Sequence, residues 1–89
     1  MILGNLYATR KIDALMHENK EFSDDIHSAL SKYIHNDWGD TCPEDINLNN
    51  EALNLEDRIF AVYKTCEGPV WIITDGYRCS TTILFPSEY

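Results

Sequence analysis

Apolar residues follow two different rhythms along this chain, and the change comes near Asp57. From Asp57 to Phe85 they fall at every second position or in short unbroken runs; earlier they fall at every third or fourth. The first rhythm fits strands and the second fits helices. Ile59, Ala61 and Tyr63 alternate with Phe60, Val62 and Lys64. Both sets are apolar at the start, which predicts a strand that is central or covered at one end. Cys66-Glu67-Gly68-Pro69 turns the chain into a second strand over Val70–Thr74. Asp75-Gly76 is a hairpin signal, and a longer loop through Ser80 is equally compatible. Thr81–Phe85 then makes a third strand, stopped by Pro86, which has no N–H to donate.

Upstream, Thr9 can cap a short helix over Arg10–His17, with Ile12, Leu15 and Met16 on one face. Glu18-Asn19-Lys20-Glu21 reads as a polar connector. Ser23 precedes Asp24 and Asp25, a cap followed by carboxylates where the helix dipole favours them. Phe22, Ile26, Ala29, Leu30, Tyr33 and Ile34 keep helical spacing, predicting a helix from Asp24 to about Ile34. His35–Asp40 breaks it. Thr41-x-x-Glu44 is a capping box, with Pro43 in the first turn of a helix from about Cys42 to Leu53. Ile46, Leu53 and one of Asn49 or Asn50 face inward. Met1–Tyr7 is an edge strand or an irregular lead-in. The expected fold is one α+β domain over residues 1–89. Its N-terminal helices (1–56) pack on one face of a C-terminal three-stranded antiparallel sheet (57–86).

Composition supports a folded chain, since 44% of the 89 residues are hydrophobic and ten are aromatic. No apolar run approaches the ~20 residues of a membrane span. MILGNLYATRK lacks the basic and apolar regions of a signal peptide, so a cytoplasmic location is expected, with no membrane. Cys42, Cys66 and Cys79 are then expected to stay reduced and buried. The net charge of −8 argues against direct nucleic-acid binding and in favour of a protein partner with a basic surface.

That charge is concentrated. Asp37, Asp40, Glu44, Asp45, Glu51, Glu56 and Asp57 fall within one stretch that has no Lys or Arg. It can occupy a basic groove or simply keep a helix face solvated. Asp37-Trp38-Gly39-Asp40 places an indole between two carboxylates, either as a partner anchor or as a plug over the helical layer. Arg78 either contacts a partner or pairs with Asp75 or the acidic stretch at the helix–sheet junction. The candidate binding residues are therefore Asp37, Trp38, Asp40, Glu44, Asp45 and Arg78. His35, Asp37 and Asp40 lack the spacing of known metal motifs, and no CxxC supports a Cys/His site. No catalytic residue, metal or cofactor is assigned.

Several short segments resemble a family of small bacterial plasmid and mobile-element proteins of unestablished function, often labelled plasmid-related or type I restriction subunit. They are Asp37-Trp38-Gly39-Asp40, Glu44-Asp45 with Asn49, Arg58 with Tyr63, Trp71-Ile72-Ile73-Thr74, Arg78 with Thr81-Thr82, and Pro86 with Tyr89. The likeness spans roughly residues 35–89 and departs at Tyr77, where the family pattern has an acid. It implies a mobile-element context and carries over no catalytic residues. The expected function is a small acidic protein-binding accessory factor acting on a DNA-binding or defence protein. The alternatives are a small metal-dependent hydrolase or nuclease using His35, Asp37 and Asp40, and a structural homo-oligomer or homodimer formed through an exposed edge strand.

Overall fold

The structure, a computed structural model, describes residues 3–55 and 57–89. Thr9 starts the first helix: its hydroxyl accepts from the Ile12 N–H at 3.3 Å, and α1 runs Arg10–Glu18. Asn19 both ends α1 and begins α2 (Lys20–Ile34). Its N–H donates to the Leu15 carbonyl at 2.8 Å, and its side chain accepts from the Phe22 N–H at 3.2 Å. The polar run Glu18–Glu21 is thus a junction between helices, and Ser23 lies inside α2 instead of capping it. An asparagine in extended conformation satisfies the same orphan donors a serine would.

The helix α3 spans Pro43–Leu55, and the strands that follow are β2 (Ile59–Thr65), β3 (Gly68–Thr74) and β4 (Ser80–Leu84). The sheet differs from the expected one by a strand. Asn5–Ala8 forms β1, which pairs parallel to β4 with Leu6 beside Thr81. The result is a four-stranded mixed sheet in the order β1-β4-β3-β2, antiparallel only among its last three strands. Met1 and Ile2 lie outside the described residues. β2 is therefore the terminal strand, and its outer side is covered by loop and helix. The β3–β4 connection is the longer loop, because Asp75 accepts from the N–H groups of Tyr77 and Cys79 at 3.1 and 2.9 Å and from the Ser80 hydroxyl at 3.0 Å. Those bonds hold the Asp75 carboxyl below its ordinary range: the Cys79 N–H is the largest cause, partial burial opposes it, and Ser80 and Tyr77 add to it.

Alternation decides which sheet face is covered. Ile59, Ala61, Tyr63, Val70, Ile72 and Ile83 point toward the helices and form one core with Ile12, Phe22, Ile26, Ala29 and Tyr33. A buried polar chain crosses that core. Tyr33 Oη lies 2.6 Å from Thr74 Oγ1, which lies 2.8 Å from Thr81 Oγ1. Thr81 donates onward to the Leu3 carbonyl at 2.8 Å. That last acceptor has no proton, so the whole chain is ordered: Tyr33 donates to Thr74 and Thr74 to Thr81. Burial of the Tyr33 phenol pushes its pKa up to about 12. No described helix is long and apolar enough to cross a membrane.

Candidate functional site

The acidic stretch begins where α2 ends, and its first residues serve the sheet. Asn36 and Gly39 take positive φ (63° and 58°), folding the loop back on β2. A Cβ at Gly39 would collide with the Tyr63 ring, so the close approach requires glycine. Asp37 Oδ1 accepts from the Gly39 N–H at 3.1 Å, and its carbonyl accepts from the Tyr63 hydroxyl at 2.7 Å. The Asp40 N–H donates to the Val62 carbonyl at 2.9 Å, while Asp40 Oδ2 accepts from the Lys64 N–H at 2.9 Å. Thr41 Oγ1 accepts from the Val62 N–H at 2.8 Å and donates to the Trp38 carbonyl. Its hydroxyl is engaged on β2, which accounts for the capping box that the motif suggested and the fold does not build.

Asn49 completes this seam from α3. Its amide bonds both the N–H and the carbonyl of Phe60, at 3.1 and 2.7 Å. Phe60, Val62 and Lys64 would otherwise present unpaired backbone groups along a sheet edge, the usual site of unwanted strand addition. Asp40, Thr41 and Asn49 take the place of a fifth strand.

The candidate residues accordingly separate. Trp38 is 4% exposed, stacks edge-on to Tyr33 at 5.6 Å, and donates from Nε1 to Asn50 Oδ1 at 2.9 Å. It is the plug rather than the anchor. Asp40 is exposed but bonded to β2. Arg78, at φ 59°, donates to three backbone carbonyls instead of a carboxylate: Asp57 at 2.6 Å, Ala52 at 2.8 Å and Asp75 at 3.3 Å. It caps the C-terminal turn of α3 and ties it to the β3–β4 loop, where helix carbonyls have no partner of their own. Asp37 and Glu44 are exposed; Asp45 is half-buried, with the Cys42 thiol 3.1 Å from its carboxylate. Glu56 lies outside the described residues.

What α3 turns to solvent was not anticipated. Glu44, Leu48, Glu51 and Leu55 follow one another at i, i+4, i+7 and i+11, which places them along one stripe. All four are exposed, Leu48 at 60% and Leu55 at 67%. The described ion pairs are Asp13–His17 and Lys20–Asp24, so no described carboxylate of the acidic stretch is in a direct ion pair. The expected inward face of Ile46, Asn49 and Leu53 is the covered one, with Asn49 buried and the other two half-buried, and Leu48 and Leu55 lie outside it.

No three described His, Cys, Asp or Glu side chains converge to hold a metal ion. His35 Nδ1 bonds the Ser31 carbonyl at 2.7 Å, while Asp37 and Asp40 engage Gly39 and Lys64, so the three have separate partners. All three cysteines are free and exposed, where burial had been expected. Burial first, and then the carboxylates of Glu21 and Asp25, push the Cys66 thiol above its ordinary pKa. At Cys42 the Asp45 backbone favours the thiolate, but the Asp45 carboxylate and burial outweigh it, and the shift is also upward. Neither is an activated nucleophile. A shallow groove of about 540 Å³ lies elsewhere, with Lys11 and Glu67 as its charged lining groups.

The sheet face away from the helices is a second unpartnered surface. Phe60, Val62, Trp71 and Ile73 are half-buried, and none of them joins the helix-side core. Register sets Val62, Trp71 and Leu84 in one row and Phe60, Ile73, Thr82 and Tyr7 in the next. Phe60 and Trp71 meet edge-to-face at 4.9 Å, Tyr89 leans on Trp71 at 5.5 Å, and Arg58 lies over the Tyr89 ring. No family model, curated protein or solved structure matches the chain.

Proposed function

We propose that this protein is a binding module: a small acidic accessory factor that docks a basic partner protein on the outer stripe of α3. The observation that carries the reading is the pair of exposed leucines, Leu48 and Leu55, interleaved with Glu44 and Glu51. Two leucines held in water on an ordered helix are a standing cost that a partner's apolar groove would relieve. Glu44 and Glu51, outside any described ion pair, keep their field for a partner and steer its approach. Asp37 and Asp45 add to the acidic charge nearby in the chain, whereas Trp38 is buried, Asp40 holds β2 and Arg78 holds the end of α3.

The resemblance of residues 35–89 to plasmid and mobile-element proteins suggests the setting: a cytoplasmic factor modulating a DNA-binding or defence protein without touching nucleic acid itself. A hydrolase reading would need His35, Asp37 and Asp40 to converge, and each has its own partner. Affinity capture from bacterial lysate at 50 and 300 mM salt tests the proposal. Capture of a basic protein should fall at least about tenfold at the higher salt and in Glu44→Lys/Glu51→Lys. Capture indifferent to both would overturn it.

A further inference from the structure

We propose that α3 is a latch: a helix wound only while polar clasps seat it on β2, and one that opens while the rest of the domain stays folded. Its attachment differs in kind from that of α2. The longer helix buries Phe22, Ile26, Ala29 and Tyr33, whereas the buried residues of α3 are Asn49 and Ala52, with Ile46 and Leu53 half-buried. Hydrogen bonds do most of the fastening. Asn49 holds both backbone groups of Phe60, the Trp38 indole donates to Asn50, and Arg78 donates to the Ala52 carbonyl. When a segment opens, such bonds are replaced by bonds to water, whereas buried apolar area has no such substitute.

Once unseated, α3 has little of its own to keep it wound. It is 13 residues long, a length at which isolated helices are marginal in water. Asn47, Asn49, Asn50 and Asn54 lower its propensity further. Glu44, Asp45 and Glu51 find no Lys or Arg within the helix to pair with. Its last turn holds no basic residue, and the cation that meets its carbonyls is Arg78, from the β3–β4 loop. Thr41, placed to cap its start, has its hydroxyl on β2.

Regulation of the docking surface follows, and this consequence rests on reading the outer stripe as that surface. Leu48 and Leu55 share one face only while α3 is wound, so opening dissolves the stripe. By linkage, a partner that grips the wound helix holds the latch closed.

β2 carries a built-in reporter. The Phe60 N–H faces α3 and bonds Asn49, whereas the Val62 and Lys64 N–H groups bond Thr41 and Asp40 in the preceding loop. Ala61 and Tyr63 point the opposite way, into the pairing with β3. Opening α3 alone strips Phe60 and spares its neighbours.

Native-state amide exchange of the free protein, read by NMR at low urea, tests the proposal. Phe60 and the amides of residues 49–53 should share one protection level, at least about tenfold below that of Ala61 and Tyr63. Ile26→Val, a mild truncation in the core beneath α2, separates local from global opening. It destabilises the closed and the unlatched forms alike, so Phe60 and α3 should keep their protection while Ala61 and Tyr63 lose about fivefold. Equal protection of Phe60 and Ala61, or an equal loss at both in Ile26→Val, overturns the proposal, because α3 then opens only with the whole domain. Phe60 exchanging fast while α3 stays protected overturns it too. The measurement needs no partner, so it stands or falls apart from the capture experiment.

Discussion

The side-chain amide of Asn49 clasps the backbone of Phe60 from both sides, accepting from its N–H at 3.1 Å and donating to its carbonyl at 2.7 Å. An amide is the one neutral side-chain group that presents donor and acceptor in the order a neighbouring strand would. At 2% exposure, water cannot substitute for it. Asn49→Ala should lower stability by about 2–6 kcal/mol, because two backbone groups lose their partner at about 1–3 kcal/mol each. Asn49→Asp should also destabilise, since it loses the donor and buries a charge. Urea denaturation reads both; an Asn49→Ala midpoint equal to the parent's would contradict the role.

The ordered chain from Tyr33 to Leu3 makes stability sensitive to alkali. A phenol whose pKa is raised to about 12 in the fold and is about 10 when unfolded contributes its full share below pH 10. That share is lost as pH rises from about 10 through about 12, because the unfolded chain ionises first. Burial raises Tyr63 as well, with the Tyr33 and Asp37 charges adding to it. Denaturation midpoints should therefore fall steeply above pH 10. In Tyr33→Phe the fall should be shallower and neutral-pH stability lower by about 1 kcal/mol, since Thr74 loses its donor.

Gly4 decides whether β1 can join the sheet. It has φ +65°, and a Cβ there would strike the backbone of Arg78 and Cys79, which cannot step aside as a side chain can. Gly4→Ala should cost about 1–3 kcal/mol in strain and free β1 from β4. Amide exchange would show it: the Asn5 N–H, bonded to the Cys79 carbonyl at 2.9 Å, should lose protection while β2 and β3 keep theirs.

Why some of this was legible in the sequence and some was not comes down to the range of the forces involved. α1, α2 and the strands β2, β3 and β4 announce themselves through local periodicity, because each has a buried face written into neighbouring residues; α3, whose buried residues are Asn49 and Ala52, is marked instead by Pro43 at its start. β1 has none: all four of its residues are exposed, and what holds it is pairing with a strand some 75 positions away. Asn19 was overlooked as a cap because Ser23-Asp24-Asp25 offered a stronger local signal. For Trp38 the sequence leaves anchor and plug both open, and the fold decides: Asp37 and Asp40 turn to Gly39 and Lys64 while the indole turns inward. Arg78 was expected to seek a carboxylate; the end of α3 offered it unpartnered carbonyls at closer range. On α3 the spacing of Ile46, Asn49 and Leu53 marks the inward face, and the exposed stripe of Glu44, Leu48, Glu51 and Leu55 is what that face leaves outside.

Site-specific photo-crosslinking in bacterial cells tests the docking surface most directly, with a photoreactive residue substituted at Leu48, at Leu55, or at the exposed His17 on α1 as a control. The account requires a discrete adduct with a basic protein from Leu48 and Leu55, lost when Glu44 and Glu51 are reversed in charge, and none from His17. Adducts of equal yield from all three positions, or none from α3, would contradict it.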